Sequence, residues 1–195
     1  MAPLVVLIGD SIRMGYQEVV QRELKAVAEV WAPVENGGNS RNVLAHLDEW
    51  VISRQPQVVH LNCGLHDLRK EFDQEQAAVG IEEYAANVRQ ISTRVREQTD
   101  ATLIWATTTP VNQAWHHATK GFDRLEADVR AYNQVAAAIA TELGIPINDL
   151  YKVVMQAGRD SYLQPDGVHF SPAGYELLGQ AVARAIAAHL AEPSQ

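Results

Sequence analysis

The chain has 195 residues, with 24 acidic against 16 basic side chains and a formal net charge of −8, which suits one domain with a full core and argues against nucleic acid or an anionic membrane surface as partners. Hydrophobic residues make up 47% and charged residues 21%, the balance of an ordinary globular protein, and no apolar run is long enough to cross a bilayer. The single cysteine, Cys63, excludes an intrachain disulfide and fits a reducing compartment. No basic segment and apolar core of a signal peptide follow Met1, so a cytoplasmic location is expected. Residues 1–195 are expected to form one domain; composition is silent on the oligomeric state.

In chain order, Leu4-Val5-Val6-Leu7-Ile8 is apolar without alternation, the pattern of a strand buried on both faces, and it stops at Gly9-Asp10-Ser11. A helix is expected over 14–28 and a short strand over 29–32, ended by Pro33. Residues 35–40 read as a loop by composition. Asn39 or Ser40 then caps a helix in which Val43, Leu44, Leu47 and Val51 recur at helical spacing. A third strand spans 57–63. Residues 65–79 are polar and read as loop with a helical turn. A helix over 81–98, a strand over 101–107 and a loop over 111–121 follow. An alanine-rich helix over 122–143 ends at Gly144. A strand over 145–148, a short helix near 150–156 and a loop over 164–170 lead to a last helix, opened by Ser171-Pro172 and running to about residue 190. Five short apolar strands separated by helices imply a parallel sheet covered on both faces. In such a sheet the functional loops lie beyond the carboxyl ends of the strands, and Ser11, Gly38, His66 and the 107–121 stretch all fall at that edge.

Four features carry chemistry. Ser11 stands where a strand passes into a helix, close to free N–H groups that favour negative charge. It reads either as a helix cap or as a nucleophile. Asp166 and His169 are three apart before a helix, so the carboxylate can reach the imidazole and fix its tautomer while the ring serves as base; the same spacing also occurs by chance at helix starts. Gly37-Gly38-Asn39-Ser40 is either a plain turn or a set of backbone donors for an anion. Asn62-Cys63-Gly64-Leu65-His66-Asp67 places polar groups at the end of the third strand.

Taken in order, these four motifs resemble the SGNH hydrolases, also called the GDSL esterase/lipase family, over nearly the whole chain, from residue 4 to about 188. The resemblance implies a three-layer α/β/α, flavodoxin-like fold with a five-stranded parallel sheet. It also implies a catalytic triad of Ser11, His169 and Asp166. The family's oxyanion donors map onto the Ser11 and Gly38 backbone N–H groups; Gly38 is preferred to Gly37 because it directly precedes Asn39-Ser40. The third donor departs from the pattern. Where the family has Gly-x-Asn-Asp, this chain has Gly64-Leu65-His66-Asp67. A neutral imidazole can donate one N–H as an amide does, so His66 is expected to replace the asparagine. Arg13 and Trp115 are candidate substrate contacts.

The resemblance implies a serine ester hydrolase acting on a small-molecule ester. Since the chain has no large lid insertion, a small acyl group, as in a carbohydrate acetyl esterase, is the first expectation. Longer-chain thioesterase or lysophospholipase activity is the second, and a weakly active or non-catalytic binding module, motivated by the missing asparagine, is the third. A flavin-binding flavodoxin fits poorly, because the turn after the first strand is not rich in serine and threonine. No nucleotide-binding phosphate loop is present, and no cofactor is expected. His116-His117 lack the spacing of a metal site, so no metal is expected either. Cys63 and His60 read as core residues within or closing the third strand.

Overall fold

The structure is a computed structural model and describes residues 2–190. Five parallel strands, β1 (Leu4–Ile8), β2 (Glu29–Trp31), β3 (Val58–Leu61), β5 (Thr102–Ala106) and β7 (Ile147–Asn148), form one sheet in the order β2-β1-β3-β5-β7. A second ribbon pairs β4 (Lys70–Glu71) with β6 (Phe122–Asp123) antiparallel. α1 (Ser11–Leu24) packs against α8 (Pro172–Ala187), which α7 (Leu150–Ala157) also touches; α4 (Ile81–Gln98) joins α2 (Ser40–Ala45) and α6 (Glu126–Glu142). Right-handed crossovers require this division: chain moving from β1 out to β2 crosses on one face, and chain moving the other way crosses on the opposite face. The result is the three-layer, flavodoxin-like architecture expected from the sequence.

Val5 to Ile8 are fully buried, as an unalternating run between two helical layers must be. The strands end sooner than the sequence suggests, but their rim is extended by single cross-ties. Gly37 N–H donates to the Gly9 carbonyl at 3.0 Å, and Asn62 N–H donates to the Ile8 carbonyl at 3.0 Å. The Asn62 side-chain amide donates to the Ala106 carbonyl at 2.8 Å. A Cβ on Gly37 would lie 2.7 Å from the Gly9 oxygen, so only glycine allows the loop after β2 to come this close to the end of β1.

Several elements depart from the sequence reading for identifiable reasons. The first helix begins at Ser11 and ends at Leu24, because the Asp10 carboxylate accepts from Ile12 N–H and caps it. Ser11 is therefore inside the first turn and is not the cap. The helix capped by Asn39 breaks at His46, and α3 (Leu47–Trp50) follows. The His46 backbone N–H and ring Nδ1 both lie within hydrogen-bonding distance of the Asn42 carbonyl, and the ring stacks on Trp50. Residues 111–121, read as loop, contain α5 (Gln113–Thr119), capped by the Asn112 side chain. Residues 65–79 supply β4, and the helix expected from residue 122 starts only at Glu126, because Phe122 and Asp123 are taken up by β6. The last helix stops at Ala187.

The loop before α8 is fixed from outside by α5: Asn112 N–H donates to the Gly167 carbonyl at 2.8 Å. Gly167 has φ +71°, and a Cβ there would lie 2.4 Å from the Asn112 oxygen. Gly167→Ala should therefore destabilise the protein by about 2 kcal/mol or more, lowering the melting temperature by about 4 °C or more for a chain of this size. An unchanged thermal melt would contradict this account of the loop.

Candidate active site

The loops after β1, β2 and β3, the segment after α5 and the loop before α8 converge on a cleft of about 310 Å³. Ser11, Leu65, His66, Val168 and His169 line it, together with Asn36, Lys120, Phe122 and Arg124.

Ser11 Oγ lies 2.9 Å from His169 Nε2, and His169 Nδ1 lies 2.6 Å from Asp166 Oδ2. The second contact places the ring proton on Nδ1, facing the carboxylate, and leaves Nε2 as an acceptor for the serine proton. The other oxygen of Asp166 accepts from the Val168 and His169 backbone N–H groups at 3.0 and 2.9 Å. Burial alone would push this carboxylate up. The hydrogen bonds from the His169 ring and backbone and from Val168 outweigh it and hold the group well below the usual carboxylate range. Asp166 thus stays ionised beside the ring. A hydroxyl, imidazole and carboxylate so arranged can transfer the serine proton to the ring while the adjacent charge stabilises the resulting imidazolium.

The donors expected around a reacting carbonyl are disposed unequally. Ser11 is the first residue of α1, so its backbone N–H has no intrahelical acceptor. Gly38, with φ +63°, donates its N–H to Asn36 Oδ1 at 2.9 Å. His66 faces the same cleft. Burial lowers its pKa, and the cationic Arg124 and Arg69 push the same way, with Asp10 opposing. His66 is therefore kept neutral near pH 7 and carries one ring N–H. Asp67, the residue after it, accepts the Ser40 N–H on both oxygens at 2.9 and 3.1 Å, so the loops after β2 and β3 are pinned together through a buried carboxylate.

Two candidates from the sequence lie elsewhere. Arg13 is buried: it donates to Gln17 and, at 2.7 Å, to the Glu35 carbonyl. Its place on α1 turns it under the loop after β2, where it holds the backbone and cannot reach a substrate. Trp115 is 38% exposed and lines a separate pocket with Leu163 and Pro165 that shares no residue with the Ser11 cleft. It stands on α5, a helix the sequence reading lacked, whose buried residue is the next one, His116. Lys120, Phe122 and Arg124 were missed because their place in the cleft depends on the β4–β6 ribbon, whose two-residue strands have no periodicity to read. Asn36 borders the glycine loop, and that adjacency is the one signal that could have marked it.

The discounted residues are accounted for. Cys63 is fully buried, and burial pushes its thiol pKa well up. His60 sits 3.1 Å from the Asn148 amide and is brought down to about 3 by burial, a neutral core histidine. Among the described residues no three His, Cys, Asp or Glu side chains are grouped to hold a metal. None of the described helices is long and apolar enough to cross a membrane.

A three-layer α/β sheet with a serine, histidine and carboxylate at its carboxyl edge defines a class of acyl-transfer hydrolases. Residues 7–177 match the family model of the GDSL-like Lipase/Acylhydrolase family, and the chain belongs to that family, whose members hydrolyse ester bonds. No curated protein matches the chain. Among solved structures, a lipase/acylhydrolase from Enterococcus faecalis is 25% identical, with 100% of both chains covered and a TM-score of 0.83. The acetylxylan esterase Axe2 from Geobacillus stearothermophilus is 20% identical, with 94% of each chain covered and a TM-score of 0.72. A GDSL-like lipase from Bacteroides thetaiotaomicron is 22% identical, covering 96% of this chain and 89% of that one, with a TM-score of 0.75. At these identities the latter two share the fold.

The buried Asp67 gives a pH prediction. Burial raises its pKa to about 6 against the hydrogen bonds from Ser40. The folded state therefore holds this proton more tightly than the unfolded chain does, and stability present below pH 4 is lost as pH rises through 6. Asp67→Asn retains an acceptor for Ser40 N–H and removes the titration. Relative to the wild type, the variant should gain about 2 kcal/mol in unfolding free energy between pH 4 and pH 7. Denaturant titrations at the two pH values check it; a constant difference would rule the assignment out.

Proposed function

We propose that the protein is a serine carboxylesterase in which Ser11 is the nucleophile, His169 the general base and Asp166 the carboxylate that orients it. The observation that carries the reading is the unbroken relay from Ser11 Oγ to His169 Nε2, 2.9 Å, and from His169 Nδ1 to Asp166, 2.6 Å. Ser11 Oγ attacks the ester carbonyl as His169 takes its proton. The tetrahedral oxyanion is held by the Ser11 N–H, the Gly38 N–H and the His66 ring N–H. The incoming oxygen displaces Asn36 Oδ1 from Gly38. His169 then returns the proton to the leaving alcohol, and water, activated by the same ring, releases the acyl group from Ser11.

The preferred acyl group is small, with an acetylated carbohydrate as the first substrate class. The modest volume of the cleft and the fold shared with acetylxylan esterases support this. The second reading, a thioesterase or lysophospholipase for longer chains, is favoured by one observation: the separate pocket of about 300 Å³ at Trp115, Leu163 and Pro165, which offers an apolar surface.

Ser11→Ala and Asp166→Asn should each lower turnover by about ten-thousandfold or more, with the thermal melt retained. His66→Ala should cost about a hundred- to a thousandfold in kcat, and His66→Asn should restore much of it; an active His66→Ala enzyme would remove His66 from the donor set. Across nitrophenyl esters from acetate to palmitate, kcat/KM should peak at acetate, and a maximum at eight carbons or more would favour the second reading. Failure of Ser11 to react with a fluorophosphonate would point instead to a binding module on a hydrolase fold.

A further inference from the structure

In a chain of net charge −8, no carboxylate among the described residues lines the Ser11 cleft, whereas Lys120 and Arg124 both do. Arg124 is only 6% exposed. Its Nε donates to the Leu65 carbonyl at 2.6 Å, and its guanidinium lies 5.0 Å from the centre of the Phe122 ring. Among the described residues the two Nη groups donate to no acceptor, and they are not sealed from solvent. Arg124 lines the cleft together with Lys120 and Phe122. No Asp or Glu among the described residues forms an ion pair with it, although its neighbour Arg69 is paired with Glu71 at 2.7 Å. Lys120 Nζ is 3.3 Å from Asp166 Oδ2, an oxygen that His169 Nδ1 already occupies at 2.6 Å.

A guanidinium taken out of water without a counter-charge is costly. Burial is the main cause that brings Arg124 down to about 10, with Arg69 adding repulsion and Asp10 and Asp166 opposing. That cost is recovered when an anion arrives, and the planar fork of an arginine matches two oxygens of a carboxylate.

We propose that the ester cut in this cleft carries a carboxylate, seated on the free Nη groups of Arg124 with the Lys120 ammonium beside it. The inference rests on the esterase reading above and adds the charge of the substrate to it. An acetyl group has no charge, so the carboxylate belongs to the alcohol portion. The substrate class is then an acetylated hydroxy acid, of which an acetylated sugar acid is the carbohydrate form. The charge remains on the released alcohol, and binding weakens with salt as a charge pair does.

The test compares 4-acetoxybenzoate with its methyl ester, each rate normalised to hydroxide hydrolysis. The charged ester should be preferred by about tenfold or more in kcat/KM, one good ion pair's worth, and the preference should shrink as NaCl is raised to about 0.5 M. Arg124→Gln should bring the ratio of the two esters to near one, mainly through KM, and Lys120→Gln should lower it part of the way. Lys120→Gln also serves if Arg124→Gln does not fold. Equal or better cleavage of the methyl ester overturns the proposal. So does an equal loss on both esters in Arg124→Gln, which would assign the guanidinium to the reacting carbonyl or to the loop it braces. Calorimetric titration of the wild-type protein with 4-acetamidobenzoate, whose amide is not cleaved, reads the site without turnover. Tighter binding than its methyl ester supports the anion site even if no ester is hydrolysed and Ser11 fails to label, whereas equal binding or none overturns it.

Discussion

Two backbone hydrogen bonds decide where every reactive group in this molecule stands: Gly37 N–H to the Gly9 carbonyl, and Asn112 N–H to the Gly167 carbonyl. A parallel sheet delivers its loops to a common edge, but only to within the reach of those loops. The first bond fastens the loop after β2 against the start of α1. The second fastens α5 against the turn between Asp166 and His169. Both pass through glycines that leave no room for a Cβ. Rigid main chain, and not side-chain adaptation, therefore sets the spacing between the Ser11 hydroxyl and the His169 ring.

Around this frame the electrostatics divide into two halves. On one side, Asp166 is kept ionised by the N–H groups that donate to it. On the other, His66 is held neutral, and Arg124 stands buried with no ion pair among the described residues. His66 and Arg124 are connected physically, since Arg124 Nε anchors the carbonyl of Leu65, the residue before His66. Where relatives of the family pattern carry an asparagine, this protein has an imidazole whose neutrality is assisted by a nearby guanidinium. The substitution at residue 66 and the cation at residue 124 are thus parts of a single local arrangement.

What the sequence revealed tracks how local each feature is. The unalternating run Leu4–Ile8 and the three-residue interval from Asp166 to His169 were legible, because burial on both faces and one turn of chain leave direct marks on residue order. The order of motifs then identified the fold. Ser11 was misread as a possible cap because Asp10, one residue earlier, competes for the same duty and takes it. The Asn112 cap of α5 was visible in the residues but masked by a polar loop-like composition, and missing that helix misplaced Trp115. Arg13 and Arg124 could not be told apart from sequence. Arg13, beside the Gly9-Asp10-Ser11 motif, is spent on the Glu35 carbonyl, whereas Arg124, near no motif, lines the cleft. That difference comes from the β4–β6 pairing, which rests on two residues in each strand and leaves no periodic trace.

The sheet's outer strands are short: β2 has three residues and β7 has two. An open rim of unpaired amides and carbonyls is a template on which another chain can extend a sheet. Here the template is cut short at each border, and it is bounded by Pro33 after β2 and by Pro146, which has no amide hydrogen, before β7. The long central strands, whose apolar runs would be the most adhesive if uncovered, all have a neighbour on both sides. The protein can therefore keep a strongly hydrophobic interior without offering it as a seed for self-association through added strands.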